Sequence, residues 1–222
     1  MSGKQAKARR AREGRVAAVA AERLARHLTG ATFWHGGAPG LQAGEVLLTA
    51  HAALMAGRTD TAHSLQKGYA DGTTDSRRVY FTTDREMARG YCGLYKVDDD
   101  VAGSLYRVAP IGPVQVDPDF DGRNVSWCAP GARIIEVEEE QVDVDEFGAM
   151  ERIGPYMAWE NGNPIYSPFG HFLPSPEMGQ FGITAPWLAE RYRQWTPWEL
   201  VQADLRSMLA AGRRPAPSSF MS

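Results

Sequence analysis

The segment "RRVYFTTDREMARGYC" at residues 77–92 joins a short strand to a helix. Val79–Thr82 is rich in aromatic and β-branched residues, which favours a strand. The next four residues, Thr83–Glu86, match the S/T-x-x-E capping box that begins many helices. The corner therefore carries one tyrosine on the strand, Tyr80, and another inside the helix, Tyr91. The two rings could form the walls of a slot for a flat ligand, or they could belong to the core.

Short strands are also predicted on both sides of this corner, because several segments combine apolar residues with glycine or proline at their ends. These segments are "TFWHGG" (32–37), "GEVLLTA" (44–50), "GSLYRVAPIG" (103–112), "PVQVDPDFDG" (113–122) and "ARIIEVEEEQVDVDE" (132–146). Of these, "GEVLLTA" could also be a strand-to-helix transition, and "PVQVDPDFDG" begins as a strand and ends as a turn. In the last of them, the alternation of apolar and acidic residues from Ile135 is typical of a half-exposed antiparallel strand. Many short strands and few helices predict an α+β domain with a mostly antiparallel sheet.

Composition divides the chain of 222 residues into three parts. Residues 1–30 form a basic arm, in which eight Lys and Arg against two acidic residues give a net charge of +6. Its content of Ala, Arg, Lys and Glu predicts a helix. Residues 31–147 hold the predicted strands and a polar, turn-rich surface loop at 57–76. Residues 148–222 form an extension, with helices predicted at about 186–211.

The extension is dense in proline, glycine and aromatic residues over 156–182 and has no helical or strand period there. Such a segment forms no core by itself, but its rings bury well against another surface. Further along, Thr196–Glu199 matches a second capping box, with proline at the first helical position. Two helices are therefore predicted to meet at Thr196, followed by a disordered tail over the last ten residues.

The basic arm at residues 1–30 leaves three interpretations open. It could be a solvated helix that docks one edge on the domain, or it could bind nucleic acid or a protein of an assembly. The whole chain carries −3, so any attraction to an acidic surface belongs to this arm. Its positive charge without interleaved aromatic residues does not decide between these interpretations.

Several functional classes are not supported by the sequence. Cys92 and Cys128 have neither the spacing of a metal site nor a histidine at a local nucleophile motif. No G-x-G-x-x-G joins a strand to a helix, which argues against a Rossmann enzyme. No apolar stretch is long enough to span a bilayer, and "VAAVAA" is too short for the core of a signal peptide. We therefore expect a cytoplasmic protein with no metal and no membrane contact.

Three short segments each place a functional side chain near the end of a predicted strand: Phe33–Gly37, Val79–Thr82 and Val116–Asp119. In this order they resemble the mono-ADP-ribosyltransferases of the His-Tyr-acidic branch, in particular the rifamycin ADP-ribosyltransferase family. The flanks "LQAGEVLL", "LYRVAPIGPVQVDPD" and "APGARIIEV" are also similar to that family, so the resemblance covers about residues 32–137. It implies an ADP-ribosyltransferase-like core, with the basic arm and the extension as additions to it.

The resemblance also implies a set of residues that bind NAD as a co-substrate. His35 would hydrogen-bond a ribose hydroxyl, and the backbone of Gly36, free of a Cβ, would let the nicotinamide amide approach closely. Tyr80 would stack on the nicotinamide ring, and Tyr91 or Phe81 would close the slot. Each of these residues also has a plain structural interpretation, as a core or turn residue.

The acidic position of the resemblance falls on Asp117, with Asp119 as the alternative. Breaking the N-glycosidic bond of NAD builds positive charge on the ribose, as it does in glycoside hydrolysis. A carboxylate fixed near that carbon favours the transition state over the ground state, and it could also orient an attacking hydroxyl. The resemblance departs at Gly37, where the family usually has threonine, so a hydroxyl that could position the ligand is missing.

Two functions are consistent with these features. The first is a mono-ADP-ribosyltransferase that moves ADP-ribose from NAD to a small-molecule or protein acceptor, which the sequence does not identify. The second is a structural or interaction protein of a large assembly, such as a phage virion, that keeps the transferase-like module. In that case residues 1–30 and 148–222 would contact the partners.

Overall fold

The computed structural model describes residues 28–56, 75–95, 101–120 and 124–213. The predictions for the helical arm, for most of the loop at 57–76 and for the C-terminal tail concern parts of the chain outside these residues. The described residues from Phe33 onward belong to one compact unit.

The described residues form a single sheet of seven antiparallel strands in the order β2-β7-β4-β1-β3-β6-β5. The strands are β1 (Phe33–Gly37), β2 (Val46–Leu47), β3 (Val79–Thr82), β4 (Ser104–Ile111), β5 (Gln115–Val116), β6 (Ser126–Ala129) and β7 (Gly131–Glu139). The strand β6 was not predicted, because all four of its residues are buried and it shows no alternation of apolar and polar residues.

Six helices accompany this sheet within the described residues. They are α1 (Ala50–Met55), α2 (Arg85–Leu94), α3 (Glu146–Ile153), α4 (Pro176–Gln180), α5 (Ala185–Arg191) and α6 (Trp198–Ala210), and short 3-10 turns lie at Pro118–Phe120 and Gly154–Tyr156. The predicted α+β class with a mostly antiparallel sheet is confirmed. That the sheet is an ADP-ribosyltransferase core remains a prediction.

Both capping boxes predicted from the sequence are wrong in detail. Helix α2 begins after Asp84, whose Oδ1 accepts a hydrogen bond from the N–H of Met87 at 3.0 Å. An aspartate caps as well as a threonine, so the box starting at Thr83 is displaced by one residue. At the start of α6, Pro197 is the N-cap and has no capping side chain, while the Thr196 hydroxyl donates to the carbonyl of Arg193 at 2.8 Å.

Helix α2 packs directly on β1. A Cβ added to Gly36 would lie 2.1 Å from the carbonyl oxygen of Ala88 and 2.9 Å from the Sγ of Cys92. Atoms of two elements approach this closely only where a residue has no side chain. Gly36 therefore allows the helix to lie against the strand that carries His35.

The other side of α2 contacts the C-terminal extension. Met87 of α2 is fully buried in a cluster with apolar residues of the extension, and Tyr91 and Leu94 pack against the same cluster. The members from beyond residue 147 include Met150, Ile153, Ile165, Tyr166, Phe172, Ile183, Leu188, Val201, Leu205 and Met208. Rings and helices of the extension thus bury their apolar surface on α2. The predicted division at residues 147 and 148 remains a prediction about sequence organisation.

Candidate functional site

The strands β1 and β3 are neighbours in the sheet but pair at one position, Trp34 with Thr82. By contrast, β1 pairs with β4 along all five of its residues, and β3 pairs with β6 along all four. The two central strands therefore part immediately after the Trp34–Thr82 pair. The ends that separate carry His35, Gly36 and Tyr80, three of the predicted site residues.

The backbone of Gly36 faces the gap between these strands. The N–H of Thr83 donates to the carbonyl of Val125 at 3.0 Å on the side of β6, so the backbone groups of Thr82 are directed to the other side, toward its partner Trp34. Those of Trp34 are correspondingly directed toward β3. Backbone groups of residues two apart in an extended strand point the same way. The N–H and C=O of Gly36 are therefore directed toward β3 at a level where the two strands form no pair.

The imidazole of His35 reaches across this gap. Its Nδ1 lies 2.7 Å from the carbonyl oxygen of Tyr80. A carbonyl only accepts, so Nδ1 carries the proton and donates it, which leaves Nε2 with a lone pair in the neutral ring. Burial lowers the pKa of His35, and the hydrogen bond to Tyr80 only partly opposes this effect. The neutral ring with Nε2 as an acceptor is therefore the favoured state.

The missing side chain at Gly37 leaves room for the imidazole. A Cβ at this position would lie 2.5 Å from the Nε2 of His35. The threonine that the resemblance leads one to expect there would collide with the ring in its present position. Glycine at position 37, where the resemblance leads one to expect threonine, therefore allows the observed orientation of His35.

The low pKa of His35 predicts a characteristic loss of stability in acid. The unfolded chain binds a proton at His35 once the pH falls below about 6.5, whereas the folded chain resists it down to its own lower pKa. Between these two pKa values, each unit by which the pH falls should lower the free energy of unfolding of the wild type by up to about 1.4 kcal/mol more than that of His35→Gln. Urea unfolding of both proteins between pH 4 and 8 checks this. Equal slopes throughout would contradict it.

Tyr80 is anchored by its hydroxyl. The backbone N–H of Asp75 donates to this oxygen at 2.7 Å, which fixes the position of the half-buried ring. Burial raises the pKa of Tyr80 to about 12, so the phenol stays protonated in the physiological range. Because the hydroxyl bonds the chain itself, the faces of the ring are what Tyr80 can offer a ligand.

Asp117 lies one residue beyond β5 and is buried, with 4% of its surface exposed. Its Oδ2 accepts a hydrogen bond from the Ser126 hydroxyl at 2.7 Å, and its Oδ1 accepts from the N–H of Asp119 at 3.0 Å. Burial raises the pKa of Asp117, and these two hydrogen bonds oppose the shift. Asp119, the alternative acid, is exposed. Asp117 is therefore the carboxylate that the fold holds in place.

The structure brings Tyr80 and Asp117 to the same part of the sheet. Tyr80 is directly opposite Cys128 on β6, and Asp117 bonds Ser126, two residues earlier on that strand. The charge of Asp117 is near enough to raise the pKa of Tyr80, although burial is the larger cause. His35, Tyr80 and Asp117 are thus joined through the contacts of β1, β3 and β6.

Two other predicted residues differ in burial. Phe81 is 3% exposed, and its ring meets that of Phe33 edge to face at a centroid distance of 5.0 Å. Tyr91 is partly buried and packs against the cluster between α2 and the extension. Phe81 therefore belongs to the core, and a role of Tyr91 in the slot remains a prediction. Gly36 has its helix-facing side filled by α2, so its backbone edge is the part that faces the gap.

Two residues that support the site were missed from the sequence. Ser126 holds Asp117, but no motif in "NVSWCAP" points to it. Tyr106 is fully buried opposite His35, where its hydroxyl donates to the carbonyl of Ala38 at 2.6 Å and accepts from the N–H of Leu41 at 3.3 Å. It thereby fixes the loop after β1. Its place on a strand was predictable, but these partners were not.

Two kinds of feature are absent from the described residues. No group of three or more His, Cys, Asp or Glu side chains lies close enough to hold a metal ion. None of the helices in that part of the chain is long and apolar enough to cross a membrane.

Comparison with known proteins gives no family assignment. No model of a known protein family matches the chain, and no curated protein matches it at a significant level.

Proposed function

We propose that the protein is a mono-ADP-ribosyltransferase, which cleaves NAD at the nicotinamide N-glycosidic bond and transfers ADP-ribose to a small-molecule or protein acceptor. The observation that supports this most is the gap between β1 and β3. His35 bridges it to the carbonyl of Tyr80, and Asp117 is held on the same half of the sheet.

The gap has the chemical groups that a nicotinamide riboside needs. The N–H and C=O of Gly36 offer one donor and one acceptor, which complement a primary carboxamide. The ring of Tyr80 provides a flat apolar face on which the nicotinamide would stack. The Nε2 of His35 accepts a hydrogen bond from a ribose hydroxyl, because Nδ1 already donates to Tyr80.

Asp117 supplies the negative charge for the reacting carbon. As the bond to nicotinamide breaks, positive charge grows on the ribose, and a fixed carboxylate stabilises it more than the neutral ground state. Ser126 and the N–H of Asp119 hold the two carboxylate oxygens, so little reorganisation is needed when the charge develops. The same carboxylate would orient the hydroxyl of the acceptor.

The direct test is nicotinamide release from NAD by the purified chain, measured by chromatography. We expect release by the wild type and a decrease of about tenfold or more in His35→Ala and in Tyr80→Ala. The first variant loses the hydrogen bond to the ribose, and the second loses stacking on one ring, which contributes about 1–3 kcal/mol. Tyr80→Phe is the matched control. It keeps the ring that would stack and removes the hydroxyl that bonds Asp75, so its rate should fall clearly less than that of Tyr80→Ala.

Calorimetry with NAD separates the remaining outcomes. A wild type that shows neither nicotinamide release nor NAD binding would overturn the proposal. That result would favour an interaction module of a large assembly that contacts partners through residues 1–30 and 148–222. Binding without release would mean that an acceptor or an activating partner must be added.

A further inference from the structure

Arg78 lies immediately before β3, two residues before Tyr80, and nothing in the mechanism above uses it. The intervening residue, Val79, is 4% exposed and points into the core. The guanidinium of Arg78 is close enough to Cys128 to hydrogen-bond its thiol and to lower its pKa, against the larger effect of burial. Cys128 is the residue directly opposite Tyr80. Arg78 and Tyr80 therefore share one side of the sheet.

The guanidinium is positioned but only weakly paired. Its Nε lies 3.4 Å from the Oδ2 of Asp75, whose side chain is 51% exposed, whereas that of Arg78 is 26% exposed. An ion pair that is this long and open to water holds a side chain loosely. A planar guanidinium presents two further nitrogens in a fork that matches a phosphate.

The surrounding charges make a cation necessary if a dinucleotide is to bind here. Asp117 and Asp75 each act on Tyr80 with negative charge, and both also act on Cys128. NAD adds a pyrophosphate, so like charges would oppose its approach to this part of the sheet. Arg78 is a cation that acts on Cys128, one of these two side chains.

We propose that Arg78 binds a phosphate of the dinucleotide and so sets the preference of the site for NAD over nicotinamide compounds without phosphate. This inference rests on the proposed function. It assigns Arg78 to recognition of the diphosphate and leaves bond cleavage to Asp117.

The test compares Arg78→Gln with Arg77→Gln, which removes the neighbouring exposed arginine. Nicotinamide release from NAD is measured, with ADP-ribose and nicotinamide as inhibitors. In Arg78→Gln, the KM for NAD and the inhibition constant of ADP-ribose should each rise about tenfold or more, as loss of a charge-assisted hydrogen bond predicts. The kcat and the inhibition constant of nicotinamide, which has no phosphate, should change by less than about threefold. Arg77→Gln should leave all four quantities unchanged.

Three results would overturn the inference. One is an equal loss of nicotinamide and ADP-ribose inhibition in Arg78→Gln, which would indicate damage to the whole site. Another is an effect no larger than that of Arg77→Gln. The third is an unchanged KM in Arg78→Gln. Each of these leaves nicotinamide release by the wild type intact, whereas failure of the proposed function removes release and NAD binding from the wild type itself.

Discussion

Asp117→Asn should reduce nicotinamide release by about 100-fold or more while the chain remains folded. The substitution removes the negative charge that would stabilise the developing positive charge on the ribose. It keeps the shape of the side chain, and the amide can still accept from the N–H of Asp119 and donate to the Ser126 oxygen. Rates under NAD saturation and the Kd for NAD measure the effect, and the Kd should change by only a few-fold.

The stability of Asp117→Asn is a second, independent prediction. Burial raises the pKa of Asp117, so the folded chain binds a proton there more readily than the unfolded chain. As the pH rises above the pKa of the unfolded state, ionisation of Asp117 therefore lowers the free energy of unfolding. The neutral amide of Asp117→Asn does not ionise and avoids this loss. Asp117→Asn should melt at the same temperature as the wild type or higher. Asp119→Asn is the matched control. If it stops release and Asp117→Asn does not, the acid has been assigned to the wrong residue.

Gly36→Ala should destabilise the fold by about 3 kcal/mol or more. The new Cβ would lie 2.1 Å from the carbonyl oxygen of Ala88 and 2.9 Å from the backbone nitrogen of Cys92. Both are backbone atoms of α2, so the helix would have to move away from β1 as a unit. That movement also disturbs the neighbouring face of α2, where Met87 is buried against the extension. Urea unfolding followed by circular dichroism measures the loss.

The control for this variant is Gly179→Ala in α4. A Cβ there meets nothing within 4 Å, and alanine is the better helix former. Its stability should therefore equal or exceed that of the wild type. If both variants unfold at the same urea concentration as the wild type, the close packing of α2 on β1 is not required for the fold.

The elements that were predictable from the sequence are those with local signals. The aromatic and β-branched run at 79–82 predicts β3 with its observed bounds. The alternation in the segment 132–146 predicts β7, although the strand ends earlier, at Glu139. In β6 every residue is buried on both faces of the sheet, so no period remains to be read. The predicted N-terminus of α2 was displaced because Thr83 and Asp84 are adjacent and either side chain is able to cap a helix.

The residues of the candidate site are a prediction from the sequence, whereas their surroundings come from the fold. The order and chemistry of His35, Tyr80 and Asp117 favour them as site residues, and contacts connect them through neighbouring strands. The position of Tyr91 depends on the extension, whose packing on α2 involves residues more than 50 positions apart. The hydroxyl of Ser126 has no sequence signal, because its importance arises only when β5 pairs with β6.

The parting of β1 and β3 has an evolutionary consequence. The donor and acceptor at its edge belong to the main chain of Gly36, so they persist when neighbouring side chains change. Under the proposed function, a substitution of a neighbouring side chain would leave these two main-chain groups in place for the nicotinamide amide. Loops that contact the acceptor could then differ in sequence without altering these groups.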